Sequence, residues 1–274
     1  MKESGIGSQK IIRRKGDGEL EYLPDDLTIE EPLEIRVGRK PVAITMRTPG
    51  HDEELAAGFL LSEGIVRDRD QIASVSMGGD NRVRVDLAVA AIGDRGSRDQ
   101  RSRLQTKRFG TISSSCGLCG KTSIDAIRQN LPAIRSAGIR IDIETLLSLP
   151  EILRDAQSDF ARTGGIHAAG IFDVDSKLKI AREDIGRHNA VDKAVGHAFL
   201  DQLVPLQRHL LLVSGRASFE IIQKALAAGI PIVAAVSAPS SLAVELARDS
   251  NQTLIGFLRP PSFNIYTHIE RIVL

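Results

Sequence analysis

Cys116 and Cys119 are the only thiols among 274 residues, and they stand three apart in Ser-Ser-Ser-Cys-Gly-Leu-Cys-Gly-Lys-Thr. A pair at this spacing can ligate a metal, close a small disulfide loop or share a transferable sulfur. Structural cysteines more often sit among apolar side chains. These two lie among Ser, Gly and Lys, between a strand-like run (Arg108 to Ser113) and a helix-like run (Ser123 to Asn130). A loop that feeds a helix N-terminus favours an anion, which lowers a thiol pKa from about 8.5 and raises the thiolate fraction. Lys121 adds a positive charge, and Gly117 and Gly120 let the loop bend around both sulfurs. The pattern points to reactive sulfur rather than packing.

Several chemistries compete for the pair. A structural zinc needs four ligands, and Cys-x-x-Cys supplies half. His51-Asp52-Glu53 upstream echoes the His-x-Glu of zinc deaminases, but Ser115 stands where their proline precedes the first cysteine. The same three residues serve equally as the start of a helix. Gly120-Lys121-Thr122 matches the end of a phosphate loop, but its leading glycine is replaced by Ser115. A dithiol exchange site would follow a strand–helix–strand opening, and a polar stretch lies there instead. Persulfide chemistry asks only for a thiolate acceptor, an exposed loop and a route of release, which a second thiol can provide.

Three further clusters carry polar groups at strand-to-helix turns. Glu183-Asp184-Ile185-Gly186-Arg187-His188-Asn189 opens a helix; His188 can exchange protons and Arg187 can hold an anion, beside the plainer reading of capping and surface charge. Val213-Ser214-Gly215-Arg216-Ala217-Ser218 places backbone N–H groups at a strand's carboxyl end, where open α/β sheets bind ligands and helix N-termini suit phosphate. Ser237-Ala238-Pro239-Ser240-Ser241 repeats that arrangement one crossover later. Two adjacent turns of this kind favour a phosphate-bearing ligand, whereas either alone would be an ordinary cap.

The elements that must position these residues read as α/β. Leu33 to Val37 and Val42 to Met46 form a hairpin, and a helix runs from His51 to Gly64. Arg82 to Leu87 alternates as a strand. Gly93 to Arg108 has six Lys or Arg against Asp94 and Asp99 and almost no apolar residue, so it is expected to be a mobile connection. Ile143 to Phe160 is helical and expected to be broken by Pro150. Strands at Ile166 to Phe172 and Leu178 to Ala181 flank an Asp173 to Ser176 turn. After them come helix His188 to Leu200, strand His209 to Val213, helix Ala217 to Ala228, strand Pro231 to Val236, helix Ser241 to Ala247, strand Thr253 to Leu258 and a last strand Phe263 to Thr267. The alternation predicts parallel crossovers. The expected organisation is a flexible N-terminus (1–20), a smaller, strand-rich α+β domain (21–92), a polar linker (93–108) and a C-terminal α/β domain (109–274) that carries the Cys-x-x-Cys loop.

Composition bounds the function. Hydrophobic content of 42% and charged content of 26% fit a globular protein. A net charge of +1, two tyrosines and no tryptophan argue against a nucleic-acid surface. No apolar leader or membrane-length run is visible, and a lone close cysteine pair fits a reducing cytoplasm.

Taken together, the chain resembles the formate dehydrogenase accessory sulfurtransferases, the FdhD family. The resemblance rests on Glu31-Pro32-Leu33-Glu34-Ile35, Met46-Arg47-Thr48-Pro49-Gly50, Gly58-Phe59-Leu60-Leu61-Ser62-Glu63-Gly64, Cys116-Gly117-Leu118-Cys119-Gly120, Gly186 to Lys193, Ser214-Gly215-Arg216-Ala217-Ser218 and Gly256-Phe257-Leu258-Arg259. It implies a sulfurtransferase that takes persulfide sulfur from a cysteine desulfurase onto Cys116, assisted by Cys119. The sulfur passes to the molybdenum cofactor, as bis(molybdopterin guanine dinucleotide), for formate dehydrogenase. It implies a cytidine-deaminase-like C-terminal domain, a homodimer, and no structural metal. The cofactor-binding stretch maps to Phe257, Leu258, Arg259, Pro260, Pro261 and Ser262, where the family pattern has glycine after the Arg and this chain has two prolines. Arg187, His188, Ser214, Gly215, Arg216, Ser218 and Ser237 are the further candidates for holding it. The alternatives are a cofactor chaperone that moves no sulfur and a zinc-dependent deaminase.

Overall fold

In a computed structural model, the residues described are 5–79, 81–88, 133–134 and 138–273. The Cys116–Cys119 loop and the 93–108 connection lie outside them. The described chain opens on a hairpin, β1 (Ile6–Arg14) paired with β2 (Leu20–Thr28) in unbroken antiparallel register. Residues 6–14, within the N-terminal segment expected to be flexible, form the first strand. The residues are polar enough to read as loose, but Ile11 pairs across the ladder with Leu23 and Ile12 with Tyr22, so each face carries an apolar cross-strand pair.

A four-stranded sheet follows, built from β3 (Glu31–Val37), β4 (Lys40–Arg47), β5 (Ile72–Gly78) and β6 (Arg82–Leu87), in the order β4-β3-β6-β5. The β3–β4 hairpin and β6 lie where the sequence predicts them. Between β4 and β5 runs α1 (Asp52–Ser62), with Asp52, Glu53 and Glu54 in its first turn facing the positive end of its dipole.

After the short β7 (Ile141–Asp142), α2 (Ile143–Asp155) starts where Asp142 accepts a 2.7 Å hydrogen bond from the Thr145 N–H. It continues through Pro150 and does not break there. Leu146, Leu149 and Leu153 are buried on one face of it, and that burial outweighs the hydrogen bond proline cannot make. A separate short helix, α3 (Ser158–Thr163), follows.

The second sheet contains β8 (His167–Asp173), β9 (Leu178–Asp184), β10 (His209–Val213), β11 (Ile232–Ala235), β12 (Thr253–Arg259) and β13 (Ser262–Thr267). Its order is β13-β12-β11-β10-β8-β9, with α4 (Arg187–Leu200), α5 (Phe219–Ala227) and α6 (Ser241–Asp249) in the connections and β14 (Ile272–Val273) pairing with β7. Only β10, β11 and β12 run parallel; β8, β9 and β13 are antiparallel to their neighbours. The parallel crossovers that the strand–helix alternation predicts join β10, β11 and β12, while the tight turns at Asp173 to Ser176 and Pro260–Pro261 join the antiparallel pairs β8–β9 and β12–β13.

The two sheets share a core. Leu33, Ile35, Val83 and Val85 of the first belong to the same buried cluster as Leu211 and Val233 of the second and Val191 and Val195 of α4. Helices α1 and α4 join them. A Cβ on Gly58 would stand 1.9 Å from the Asp192 carbonyl oxygen, and one on Gly196 would stand 1.8 Å from that of Glu54. The helices meet backbone to backbone, which only glycine allows.

Candidate functional site

The parallel strands β10, β11 and β12 end side by side, and the turns that leave them build one polar face. The turns after β10 and β11 are held together: Ala217 bridges Pro239, and the Ser240 N–H donates to the Ala217 carbonyl at 3.0 Å. The Phe257 N–H donates to the Ser237 carbonyl at 3.1 Å, and Arg259 Nε donates to the Val236 carbonyl at 3.0 Å. The backbone thus connects the Ser214, Ser237 and Phe257 regions that the sequence placed far apart.

Within this face the hydroxyls divide by task. Ser214 Oγ accepts from the Ala168 N–H at 2.9 Å, so it fastens the turn to β8. Ser240 Oγ caps α6 through the Ala243 N–H at 3.2 Å. Ser218 occupies the same position before α5 but makes no capping bond; its hydroxyl lies 3.0 Å from His188 Nε2. His188 Nε2 also lies 2.9 Å from Glu220 Oε2. Burial raises the Glu220 pKa, but the His188 hydrogen bond and the charges of His188, Lys224 and Arg187 bring it below the ordinary value.

The cations carry the site. Arg187 Nε is buried with no hydrogen-bond partner among the described residues. Burial and the nearby Arg216 charge both depress the Arg187 pKa, and Glu220 only partly compensates. Arg216 itself is exposed. His167, at the start of β8, completes the group and has no distinguishing signal in the sequence. Its ring lies against Gly215, where a Cβ would stand 3.3 Å from Nδ1. Burial first, then the charges of Arg187 and His188, lower its pKa and favour the neutral ring. Two mutually repelling guanidinium groups beside a backbone-lined strand end suit an oxyanion, which would relieve the repulsion and take the orphaned N–H.

The cofactor-binding stretch inferred from the resemblance divides across β12. Phe257 is 42% exposed, with φ of +52°, while Leu258 is fully buried in the core beneath α2. Leu258 therefore has no access to a ligand. Arg259, Pro260, Pro261 and Ser262 are exposed at the β12–β13 turn.

A model of the FdhD/NarQ family matches residues 28–273. The chain belongs to the FdhD/NarQ family. A sulfur carrier protein FdhD from Streptomyces coelicolor is 50% identical to it across 97% of this chain and 95% of its own length. The protein of the same name from Mycobacterium tuberculosis is 51% identical across 91% and 92%. A crystal structure described as that of a formate dehydrogenase accessory protein from Desulfotalea psychrophila shares the fold. Its TM-score is 0.77 at 22% identity, covering 98% of this chain and 100% of the other.

In this FdhD/NarQ chain, much of the motif from Gly186 to Lys193 is scaffold. Asp184 is fully buried and accepts from the Thr48 N–H, the Gly186 N–H, Asn189 Nδ2 and, at 2.7 Å, Lys193 Nζ. Lys193 also donates to the Thr48 carbonyl at 2.8 Å. Asp192 pairs with Lys224 at 2.7 Å and accepts from Ser62 at 2.9 Å. Arg47 is fully buried and holds Asp52 with two hydrogen bonds, of 3.0 and 2.8 Å. Asp52 is thus committed to Arg47, His51 lies 3.4 Å from Glu54, and the His51-Asp52-Glu53 run leads into α1. No cluster of three metal-ligating side chains occurs among the described residues.

Proposed function

We propose that this chain carries sulfur as a persulfide on Cys116 and delivers it to the molybdenum cofactor, in its bis(molybdopterin guanine dinucleotide) form, for formate dehydrogenase. The observation that carries the reading is the near-full-length likeness to sulfur carrier proteins named FdhD in a chain whose only thiols stand at Cys-x-x-Cys spacing. A cysteine desulfurase supplies the sulfur. The Cys116 thiolate attacks the outer sulfur of the donor's persulfide, a new S–S bond forms on Sγ, and the donor's thiolate leaves. Cys119 assists by attacking or sharing that sulfur. The protein acts as a cytoplasmic homodimer whose second sheet belongs to a cytidine-deaminase-like domain.

The cofactor is substrate here, and its guanine dinucleotide end fits the polar face at the strand ends. Arg187 and Arg216 supply positive charge for a phosphate, the turn at Gly215 brings backbone close, and Phe257 and Arg259 border the same face. His188 lies between Ser218 and Glu220 at its edge, within hydrogen-bond distance of both.

Intact mass after incubation with a cysteine desulfurase and cysteine tests the sulfur step. A gain of about 32 Da, one sulfur atom, that is reversed by reductant and lost in Cys116→Ala is expected. An unchanged gain in that variant moves the carrier role to Cys119. No gain in the parent leaves a protein that escorts the cofactor without moving sulfur.

A further inference from the structure

The family model begins at residue 28, so the β1–β2 hairpin stands outside the part of the fold it describes. This hairpin forms a two-stranded sheet of its own. Isolated two-stranded ladders are marginal in water. Here only the base is tied down: Arg162 pairs with Asp26 at 2.8 Å, and Thr28 Oγ1 donates to Thr163 at 3.0 Å. Beyond that, Ile12 is 58%, Leu20 59% and Tyr22 78% exposed. Ile12 and Tyr22 are direct cross-strand partners, so the three residues form one apolar patch on a single face.

The hydrogen-bond phase of the ladder decides which edge is usable. The Lys15 N–H donates to Glu19 and the Ile29 N–H donates to Gly5 at its two ends. The register between them has no shift. Bonded and non-bonded pairs alternate in an antiparallel ladder. The odd-numbered residues of β1 therefore face β2, and Ser8, Lys10 and Ile12 direct their N–H and C=O groups outward. On the opposite edge the outward positions of β2 include Pro24, which has no N–H to offer. Among the described residues one edge is open, and the other is interrupted by Pro24.

The open edge is also charged in one sense. Strand β1 contains Lys10, Arg13 and Arg14 and no acidic residue. Lys10 and Arg14 make no ion pair among the described residues, and Arg13 reaches Asp25 only at 3.7 Å. A second copy of β1 would bring like charges together, and β2 of a second copy presents the edge that Pro24 interrupts.

We propose that the open edge of β1 is a docking site for an extended, acidic segment of another protein, which adds as a third strand. Alternation fixes its chemistry. Side chains on the Ile12 face should be acidic opposite Lys10 and Arg14 and apolar opposite Ile12. On the other face they should be apolar opposite Ile11 and acidic opposite Arg13. An antiparallel segment then reads Glu-Glu-Val-Val-Glu.

Fluorescence anisotropy with a labelled peptide centred on Glu-Glu-Val-Val-Glu and the full chain tests this. Saturable binding is expected. Lys10→Pro removes an N–H that the hairpin ladder does not use and should weaken binding at least about tenfold, the loss of one charge-assisted contact or more. The double variant Lys10→Glu, Arg14→Glu should lose the acidic peptide and gain its Lys-Lys-Val-Val-Lys counterpart, which keeps the test open if the proline variant misfolds. Absence of binding to the parent chain overturns the proposal, as does equal binding to Lys10→Pro. Sedimentation of the chain alone should be unchanged by Lys10→Pro; a shift would assign the edge to a second copy and overturn it.

Discussion

Helix α4 carries two kinds of charge a few residues apart, and they behave oppositely. Asp192 and Lys193 are buried, and each has a partner of the other sign at 2.7 Å. Arg187 and His188, at the start of the helix, look onto the strand ends, where Arg216 adds positive charge and Glu220 is the opposing carboxylate. The first group is closed by the protein itself. The second leaves a guanidinium N–H without a partner among the described residues, on an arginine whose pKa burial and the Arg216 charge depress. One continuous motif thus serves as framework through one half and leaves cationic groups facing the strand ends through the other.

The contrast is tested most severely at its closed end. Lys193→Met leaves Asp184 buried without its counter-charge and should cost roughly 3–5 kcal/mol, read as a lowered urea midpoint. A loss below about 1 kcal/mol would mean the network is wetter and looser than its geometry.

At the open end the effects should reverse. Arg216→Ala should leave stability within about 0.5 kcal/mol, because the side chain is exposed. GDP affinity should fall about ten- to hundredfold, for the roughly 1.5–3 kcal/mol of a charge-assisted contact. Undiminished GDP binding by a folded variant would place the phosphate elsewhere.

A clamp between the two regions should respond to acid. Glu54 lies within reach of Arg182, His197 and His51, joining α1 to α4 and β9. Burial raises its pKa, but hydrogen bonds from Arg182 and His51 and their charges bring it down to about 2. A depressed carboxylate stabilises the fold above its unfolded pKa near 4.5 and loses that contribution as pH falls toward 2. With solvent screening this is roughly 1–2 kcal/mol. Stability curves of the parent and Glu54→Gln should therefore converge as pH drops through this window; parallel curves would remove Glu54 from the clamp.

The smallest effect separates two serines at equivalent helix starts. Ser240→Ala should cost about 1 kcal/mol, because its hydroxyl caps α6. Ser218→Ala should cost less than about 0.5 kcal/mol, because its hydroxyl is turned to His188. Equal losses would mean that Ser218 caps as well.

Much of this arrangement was legible beforehand, for physical reasons that differ by region. Strand β10 from His209 to Val213 and strand β6 from Arg82 to Leu87 lie at the bounds their apolar patterns predict, because their neighbours are sharp turn signals. The adjacency of the Ser214 and Ser237 turns followed from consecutive crossovers. The Pro150 helix misled because a local rule was overruled by burial of Leu146, Leu149 and Leu153. The join between the sheets was obscured because it depends on Gly58 and Gly196 meeting the opposite backbone, a contact made without side chains. The small residues Ala56, Ala57 and Gly58 in α1 and Ala190, Ala194 and Gly196 in α4 were the signal that could have revealed it. His167 had none: a histidine at a strand start becomes informative only when Arg187 and Gly215 fold beside it.

Pro24 has a consequence for polymerisation. A growing stack of strands needs two complementary edges on each unit, one to receive and one to be received. The hairpin offers Ser8, Lys10 and Ile12 along one side and a proline in the middle of the other. Because β2 of one copy cannot present a continuous edge to β1 of the next, the hairpin can recruit a strand on β1 without its own copies repeating head to tail into a fibre.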